Sequence, residues 1–420
     1  MKYSLMDHQS KIIDTAPNKI GLWMQPRTGK TPLAIRLACK NVKSCLLLVP
    51  NHIKEQWADE VALWNDTDCK FYVYNKERFR IDSIEKIINK GRRKTLMFSD
   101  KVPVCEMVVI DEVHRQASNP KNNFFKTVKD YVTRHSVKYL YLLSGTPWNK
   151  NPWSVYSYGK LLGRDWDYWK WMQHFFIQIK YGPRSFYKPN EKKFPELVTL
   201  LNKIGITVRL EDITGKIDDY HEIERFDLNP EQKKHIKNVT DDNPGARYAK
   251  YHQLEQAVLK SDGYTEGLSF DCQKDERVSE LIDDNQKIII VCRYLDQIEK
   301  YEQLAQKKNR RFYTIRGGQK ESATQIAKRA EADEDAIVFV QADCSDGFDL
   351  KSFSVMVFAS MSYSFISFDQ MTQRMKSMKK TEPCHYIYLL TRGKSIDLGI
   401  YSSAKAGQDF SEKLYNYERG

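Results

Sequence analysis

Short apolar runs separated by helical patterns constrain this chain more than any other feature. Ser44–Val49, Met107–Ile110 and Tyr139–Leu143 are β-rich runs. Between them apolar residues return at helical spacing, as with Ile53, Trp57 and Val61 on one face after Asn51. Strand and helix alternating in this rhythm predict an α/β unit built on a parallel sheet. The second half repeats the rhythm, with strands expected at Lys287–Cys292, Phe312–Ile315, Ala336–Val340, Val355–Ala359 and Tyr386–Leu390 and helices between them. Two similar lobes are therefore expected.

A parallel sheet gathers its functional loops outside the carboxyl ends of the strands. In the first half those ends carry distinctive residues. Met24-Gln25-Pro26-Arg27-Thr28-Gly29-Lys30-Thr31 reads as a turn into a helix whose backbone N–H groups cradle phosphate oxygens, with Lys30 reaching the β/γ-phosphates and Thr31 a metal. Met107–Ile110 delivers Asp111, Glu112, Val113 and His114. Asp111 suits a Mg²⁺ contact, and Glu112 can orient the water that attacks a γ-phosphate. Tyr139–Leu143 delivers Ser144-Gly145-Thr146-Pro147. Gly29-Lys30-Thr31 alone is a common turn with a surface lysine; the matched segments at neighbouring strand ends point instead to an ATP and Mg²⁺ site.

With these pieces in place the chain resembles the superfamily-two helicases and translocases, in particular the Swi/Snf-type branch and its compact phage relatives, over nearly its whole length. The resemblance implies two RecA-like parallel-sheet lobes with a helical insertion and linker between them: a first lobe over 1–215 with a protrusion at 151–205, a linker and helical segment at 216–272, and a second lobe over 273–420. It makes Leu5, His8 and Gln9 an adenine-recognition segment, with Gln9 the contact. Leu46 to Pro50 with Trp57 and Glu60 resembles a block that touches nucleic-acid backbone, which gives Pro50 and Trp57 that role. Asp111 to His114 is similar to the hydrolysis motif, and Ser144, Gly145 and Thr146 to the coupling motif. Gln341, Gly347, Asp349 and Leu350 resemble the fifth motif; Gln370 and Arg374, trailed by Pro383, His385, Leu389, Leu390, Thr391, Gly393, Ile396 and Asp397, resemble the sixth. Gly347, Asp349 and Gln370 are thereby expected at the nucleotide, and Arg374 as an arginine finger that completes the catalytic set with Lys30 and Glu112. ATP-dependent movement on duplex or branched DNA is the activity this implies.

Two positions depart from the family pattern. Arg27, preceded by Pro26, stands where a glycine is usual, so the loop is expected to sit differently over the γ-phosphate. Ser377 stands where a second arginine is usual, flanked by Lys376, Lys379 and Lys380, and a lysine cannot supply the bidentate fork of a guanidinium. Both keep a second class open, a nucleotide-regulated binding or switch protein of the same fold. A third, the motor subunit of a nuclease complex, would need a partner, because no nuclease carboxylate cluster is visible. His114 reads either as a capped histidine after its strand or as a link to the second lobe, Asp349 as a turn carboxylate or a site residue, and the lysine run as a solvated helix face or a phosphate contact.

Net charge is +12, which points to a polyanionic partner. Aromatic residues make up 12% of the chain, and Trp148, Trp153, Trp166, Trp169 and Trp171 crowd together among lysines and arginines. They form either the core of a helical piece or a nucleic-acid surface. The stretch from Asn151 to Cys272 lacks strand alternation and reads as mostly helical, interrupted at Gly182-Pro183, Lys188-Pro189 and Pro195, with Ile206–Ile213 closing the first lobe and Asn238–Pro244 a loop. The eight cysteines are scattered singly without a CxxC pair, so reduced thiols are expected rather than disulfides or zinc ligands. No apolar stretch approaches a membrane span, and a cytoplasmic location is expected.

Overall fold

A computed structural model describes residues 4–90, 93–99, 101–148, 150–181, 184–215, 217–239, 244–261, 267–377 and 380–410. The chain divides into two compact units, Met1–Ile213 and Thr214–Gly420.

The strands of the first unit are β1 (Lys19–Met24), β2 (Ser44–Val49), β3 (Lys70–Asn75), β4 (Ile84–Lys90), β5 (Arg93–Phe98), β6 (Met107–Ile110), β7 (Tyr139–Ser144), β8 (Phe176–Tyr181), β9 (Arg184–Pro189) and β10 (Gly205–Val208). Six of them form one sheet in the order β10-β1-β7-β6-β2-β3, with every neighbouring pair parallel. The apolar runs are continuous because helices cover both faces of the sheet. Leu46, Leu48, Val108, Ile110, Leu140 and Leu142 enter one core cluster, while Leu47, Val49, Met107, Val109, Tyr141 and Leu143 enter the other. Successive residues point to opposite faces, as the strand period of two requires.

The second unit holds β11 (Tyr220–Phe226), β12 (Val258–Leu259), β13 (Leu268–Ser269), β14 (Lys287–Cys292), β15 (Phe312–Ile315), β16 (Ala336–Gln341), β17 (Val355–Phe358) and β18 (His385–Thr391). Its sheet runs β11-β18-β17-β14-β16-β15, again parallel throughout. Ile289, Val291, Val338 and Val340 pack on one face and Ile288, Ile290, Ile337 and Phe339 on the other. The chain is thus α/β, with two RecA-like parallel-sheet lobes.

The middle of the chain, expected to be mostly helical, also contains strands. β8 and β9 form an antiparallel hairpin, in which Ile177 and Ile179 alternate with polar residues at the strand period. A second antiparallel hairpin, β4 with β5, lies earlier in the chain. The stretch 216–272 is not a linker apart from the sheets. Its β11 pairs along β18 from Tyr220↔His385 to Phe226↔Thr391. β11 is an edge strand rich in charge, which suits an unpaired sheet edge and hides it from a reading based on apolar runs. Gly182, Pro183, Lys379 and most of the Asn238–Pro244 loop lie outside the described residues.

All eight cysteines are free, six of them buried. Burial pushes the Cys69 thiol up to about 12 and Cys105 to about 11, so both stay protonated. No helix among the described residues is long and apolar enough to cross a membrane.

Candidate nucleotide site

The register of the first sheet brings three loops to one edge. Trp23 in β1 is paired with Ser144 in β7, and Leu142 in β7 with Ile110 in β6. The residues that follow β1 and β6 and those that end β7 therefore share the carboxyl edge.

After Met24 the chain turns sharply. Arg27 has φ 73° and Gly29 φ 79°, both left-handed, and the helix Lys30–Asn41 starts directly behind them. Gly29 is required on a second ground: a Cβ there would lie 2.3 Å from Gln9 Nε2. Gln9 Nε2 donates to the Gly29 carbonyl at 2.8 Å, His8 Nε2 lies 2.9 Å from the Thr28 carbonyl, and Thr28 Oγ1 donates to the Gln25 carbonyl at 2.7 Å. Gln9, expected at adenine, here braces the loop and is itself buried. Arg27 occupies the backbone region that the usual glycine favours, so the departure in sequence is not a departure from a left-handed turn. Lys30 Nζ donates to the carbonyls of Met24 at 2.9 Å and Gln25 at 3.4 Å. Thr31 stands on the first turn of the helix, half-buried.

Asp111 is buried, and its carboxyl is strongly perturbed. Burial first, and then the charge of Glu112, push its carboxyl up to about 6, against the pull of Lys30 and of a bond from Trp57. Trp57 Nε1 donates to Asp111 Oδ2 at 2.8 Å, and the Glu112 N–H donates to Asp111 Oδ1 at 2.9 Å. Trp57 is only 2% exposed, which corrects its expected role at nucleic-acid backbone: the indole is a core residue that orients a carboxylate. Pro50 stands at the carboxyl end of β2, where its carbonyl accepts from Ile53 N at 3.3 Å.

Glu112 has φ 47° and precedes the short helix Val113–Gln116. Its Oε2 lies 3.3 Å from His114 Nδ1, and the same nitrogen lies 2.8 Å from Ser144 Oγ. Ser144 Oγ also accepts from Thr146 N at 3.1 Å. His114 is thus a buried link between the Asp111-Glu112 segment and the Ser144-Gly145-Thr146 segment, not a surface cap. A Cβ on Gly145 would lie 3.0 Å from Pro26 Cδ, so glycine is what lets this segment close against the phosphate-type loop. Tyr158 was not singled out by sequence, yet its buried hydroxyl is pushed up by burial and by the charge of Glu112.

The candidates of the second unit also meet one another. Gly347 is left-handed at φ 78°, and its carbonyl accepts from Thr324 Oγ1 at 2.5 Å. Arg374 is 9% exposed; it donates to the carbonyls of Phe348 at 2.7 Å and Gln370 at 3.0 Å and lies 3.9 Å from Asp349 Oδ1. Gln370 is buried and accepts from Ser345 Oγ at 3.2 Å. Burial pushes Asp369 up to about 6, against the charges of Lys376 and Arg374. Of the lysine run, Lys376 pairs with Asp219 at 2.7 Å and Lys380 donates to the Phe353 carbonyl, so both are structurally committed.

A polar network in the same unit escaped sequence reasoning. Lys274, His252 and Asp397 are buried together, with Lys274 Nζ 2.5 Å and His252 Nε2 2.9 Å from the Asp397 carboxylate. Glu255, pushed up to about 8 by burial, accepts from the N–H groups of Ile396 and Asp397 at 2.8 and 3.0 Å. His252, Glu255 and Asp397 converge closely enough to hold a metal, but Lys274 already supplies the opposing charge.

Compared with the curated proteins, the chain shows no match. Residues 273–378, which include Gly347, Asp349, Gln370 and Arg374, match the model of the helicase conserved C-terminal domain, and the second unit is accordingly of helicase type.

Proposed function

We propose that the chain is an ATP-dependent DNA translocase or helicase that couples hydrolysis, through the two lobes, to movement on duplex or branched DNA. The observation that carries this reading is the charge of Lys30, an ammonium held by loop carbonyls, acting on the buried Asp111 carboxyl that burial and Glu112 raise to about 6.

The residues fit an ATP–Mg²⁺ group. Lys30 can exchange its carbonyl partners for β/γ-phosphate oxygens, and the left-handed turn at Arg27 and Gly29 opens backbone N–H groups towards them. Asp111 and Thr31 would hold the metal, which when bound supplies charge neutralisation at the phosphates. Glu112 orients the attacking water, and His114 with Ser144 passes the state of Glu112 to the Thr146 segment. In this reading Gln9 serves the adenine through the loop it braces, and Arg374 stabilises charge at the γ-phosphate, which requires it to leave the carbonyls of Phe348 and Gln370. Gly347, Asp349 and Gln370 shape that second half of the site. DNA is the proposed polyanion because the charge excess is spread along the chain, suited to backbone rather than base contacts.

The test is ATP hydrolysis by the full chain with and without DNA, repeated with single-stranded RNA. DNA-stimulated turnover that Lys30→Ala and Glu112→Gln abolish, with Glu112→Gln still binding ATP, upholds the reading. Turnover retained in either variant overturns the site, and equal stimulation by RNA overturns the choice of DNA.

A further inference from the structure

The chain leaves the first unit beside the phosphate-type loop, because Val208 at the end of β10 is paired with Met24 at the end of β1. Gln25 ties the loop to the departing chain. Its carbonyl accepts from Thr28 Oγ1 at 2.7 Å and from Lys30 Nζ at 3.4 Å. Its N–H donates to the Val208 carbonyl at 3.0 Å, and its Oε1 accepts from Leu210 N at 2.7 Å. Arg209 N donates in turn to Asp212 Oδ2 at 2.9 Å and Ile213 N to the Leu210 carbonyl at 3.0 Å, so a shift of Leu210 carries the turn 209–213 with it. The first unit ends at Ile213. Gly215 follows in the left-handed region, at φ 79°.

The second unit fixes the chain again at Asp219. Its Oδ1 accepts from Cys384 N at 3.0 Å, and its Oδ2 lies 2.7 Å from Lys376 Nζ. The Asp219 side chain is only 11% exposed, so this ion pair is screened less than an open surface pair. Lys376 belongs to the turn that carries Arg374: its N–H donates to the Gln373 carbonyl at 3.2 Å, and the Arg374 carbonyl accepts from Leu350 N at 3.0 Å. Each anchor therefore adjoins a group whose contacts the ATP-site reading requires to change. Lys30 gives up the Gln25 carbonyl to reach phosphate, and Arg374 leaves the carbonyls of Phe348 and Gln370. A ligand shifts a protein only through contacts that differ between two states, and such contacts stand at both ends of the run 213–219.

We propose that Gln25 and Asp219 are positioning residues of the ATP site, the two anchors of a tether that passes the state of the phosphate-type loop to the turn bearing Arg374. When Lys30 turns to phosphate, the Gln25 peptide loses a cation, and the bond from Gln25 to Leu210 carries the resulting shift into the chain that leaves the unit. Asp219 delivers it to Lys376. The inference rests on the ATP-site reading and adds how that site is regulated: occupancy of the loop frees Arg374 from its resting carbonyls.

The test is amide hydrogen exchange of the full chain with and without ATP and Mg²⁺, with ATP binding and hydrolysis followed in parallel. In the wild type, nucleotide should change exchange about fivefold or more at Leu210, at Cys384, whose amide bonds Asp219, and at Leu350, whose amide bonds Arg374. Gln25→Met keeps the length of the side chain and removes the acceptor, and it should abolish the response at Cys384 and Leu350 while ATP still binds. Asp219→Asn keeps an acceptor for Cys384 and removes the ion pair, so the response should persist at Cys384 and vanish at Leu350. Turnover should fall about three- to tenfold in each variant, and the double variant should be no slower than the slower single one, because two cuts in one tether do not add as independent sites do. Should Gln25→Met fail to fold, Asp219→Asn carries the test alone through Leu350. A response at Leu350 that both variants retain, or losses of turnover that multiply in the double variant, overturns the tether and leaves the ATP site standing. A response relayed in this order without turnover upholds the tether and overturns the motor reading; a wild type that binds no ATP overturns both.

Discussion

Trp57→Phe tests how the buried site is kept ionised. The indole N–H reaches Asp111 Oδ2 at 2.8 Å and is one of the forces holding down a carboxyl that burial and Glu112 drive up to about 6. At that value about nine-tenths of the chains carry an ionised Asp111 at pH 7. A hydrogen bond to a charged group contributes about 1.5–3 kcal/mol, and its loss moves the carboxyl up by about one to two pH units. The midpoint then falls at about 7–8, and the ionised fraction at pH 7 drops to between about a half and a tenth. If metal-dependent hydrolysis needs the carboxylate, turnover at pH 7 should fall about two- to tenfold and recover by about pH 9, the acid limb moving upward by the same one to two units. The assay is initial ATPase rate from pH 5 to 9. The stability sign is opposite to that of an ion-paired carboxylate: with the folded pKa above the unfolded value, stability falls as pH rises from about 4 to about 6, and Trp57→Phe extends that fall upward. An acid limb that stays near 6, or a loss of rate equal at every pH, would refute the argument.

Three further outcomes follow from named contacts. Arg374→Ala should lower turnover by about 10³-fold or more if the guanidinium serves as the finger, with far less change in ATP affinity; a variant indistinguishable from wild type in single-turnover kinetics sinks the assignment. Gly29→Ala should destabilise the first unit by about 1–2 kcal/mol, the cost of a left-handed non-glycine residue, before its clash with Gln9 is counted, and chemical denaturation reads it. Lys274→Met leaves the Asp397 carboxylate buried beside His252 and should cost about 3–5 kcal/mol; adding Asp397→Asn should recover part of that loss, and a thermal melt showing no recovery would contradict the charge argument.

Sequence revealed β2, β6 and β7, whose side chains face a packed core on both sides, but not β1, which does so as well. β2 and β6 lie at their expected bounds, Ser44–Val49 and Met107–Ile110, and β7 runs one residue further, to Ser144. β11 and the hairpin β8–β9 were not legible in the same way, because they are half-exposed: Tyr220 is 64% and Phe186 57% exposed. Their signal is alternation rather than an apolar run. In the nucleotide site, spacing identified the residues that would face a phosphate but misread those that support them. Trp57 and Gln9 carry polar atoms whose partners lie 54 and 20 residues away in the chain, a distance no local pattern spans. The Lys274–Asp397 pair, 123 residues apart, was invisible for the same reason. The tryptophan cluster follows its core reading at Trp171, which lies in the core cluster, and at Trp153 and Trp166, which pack against it, whereas Trp169 is 64% exposed.

Arg27 shows how a departure in sequence can leave backbone intact. A glycine reaches φ 73° at no steric cost, whereas a side chain held there costs about 1–3 kcal/mol and persists only when its surroundings over-determine it. The neighbours do so here. Gln25 N donates to the Val208 carbonyl at 3.0 Å and Gln25 Oε1 accepts from Leu210 N at 2.7 Å, pinning the loop to the end of β10. His8 and Gln9 hold the carbonyls of Thr28 and Gly29 from the opposite side. The segment is thus fixed before and after Arg27, and the residue between has one path open to it. What the substitution changes is therefore the side chain beside the loop, a permanent guanidinium in place of a hydrogen, rather than the turn that aims the backbone N–H groups.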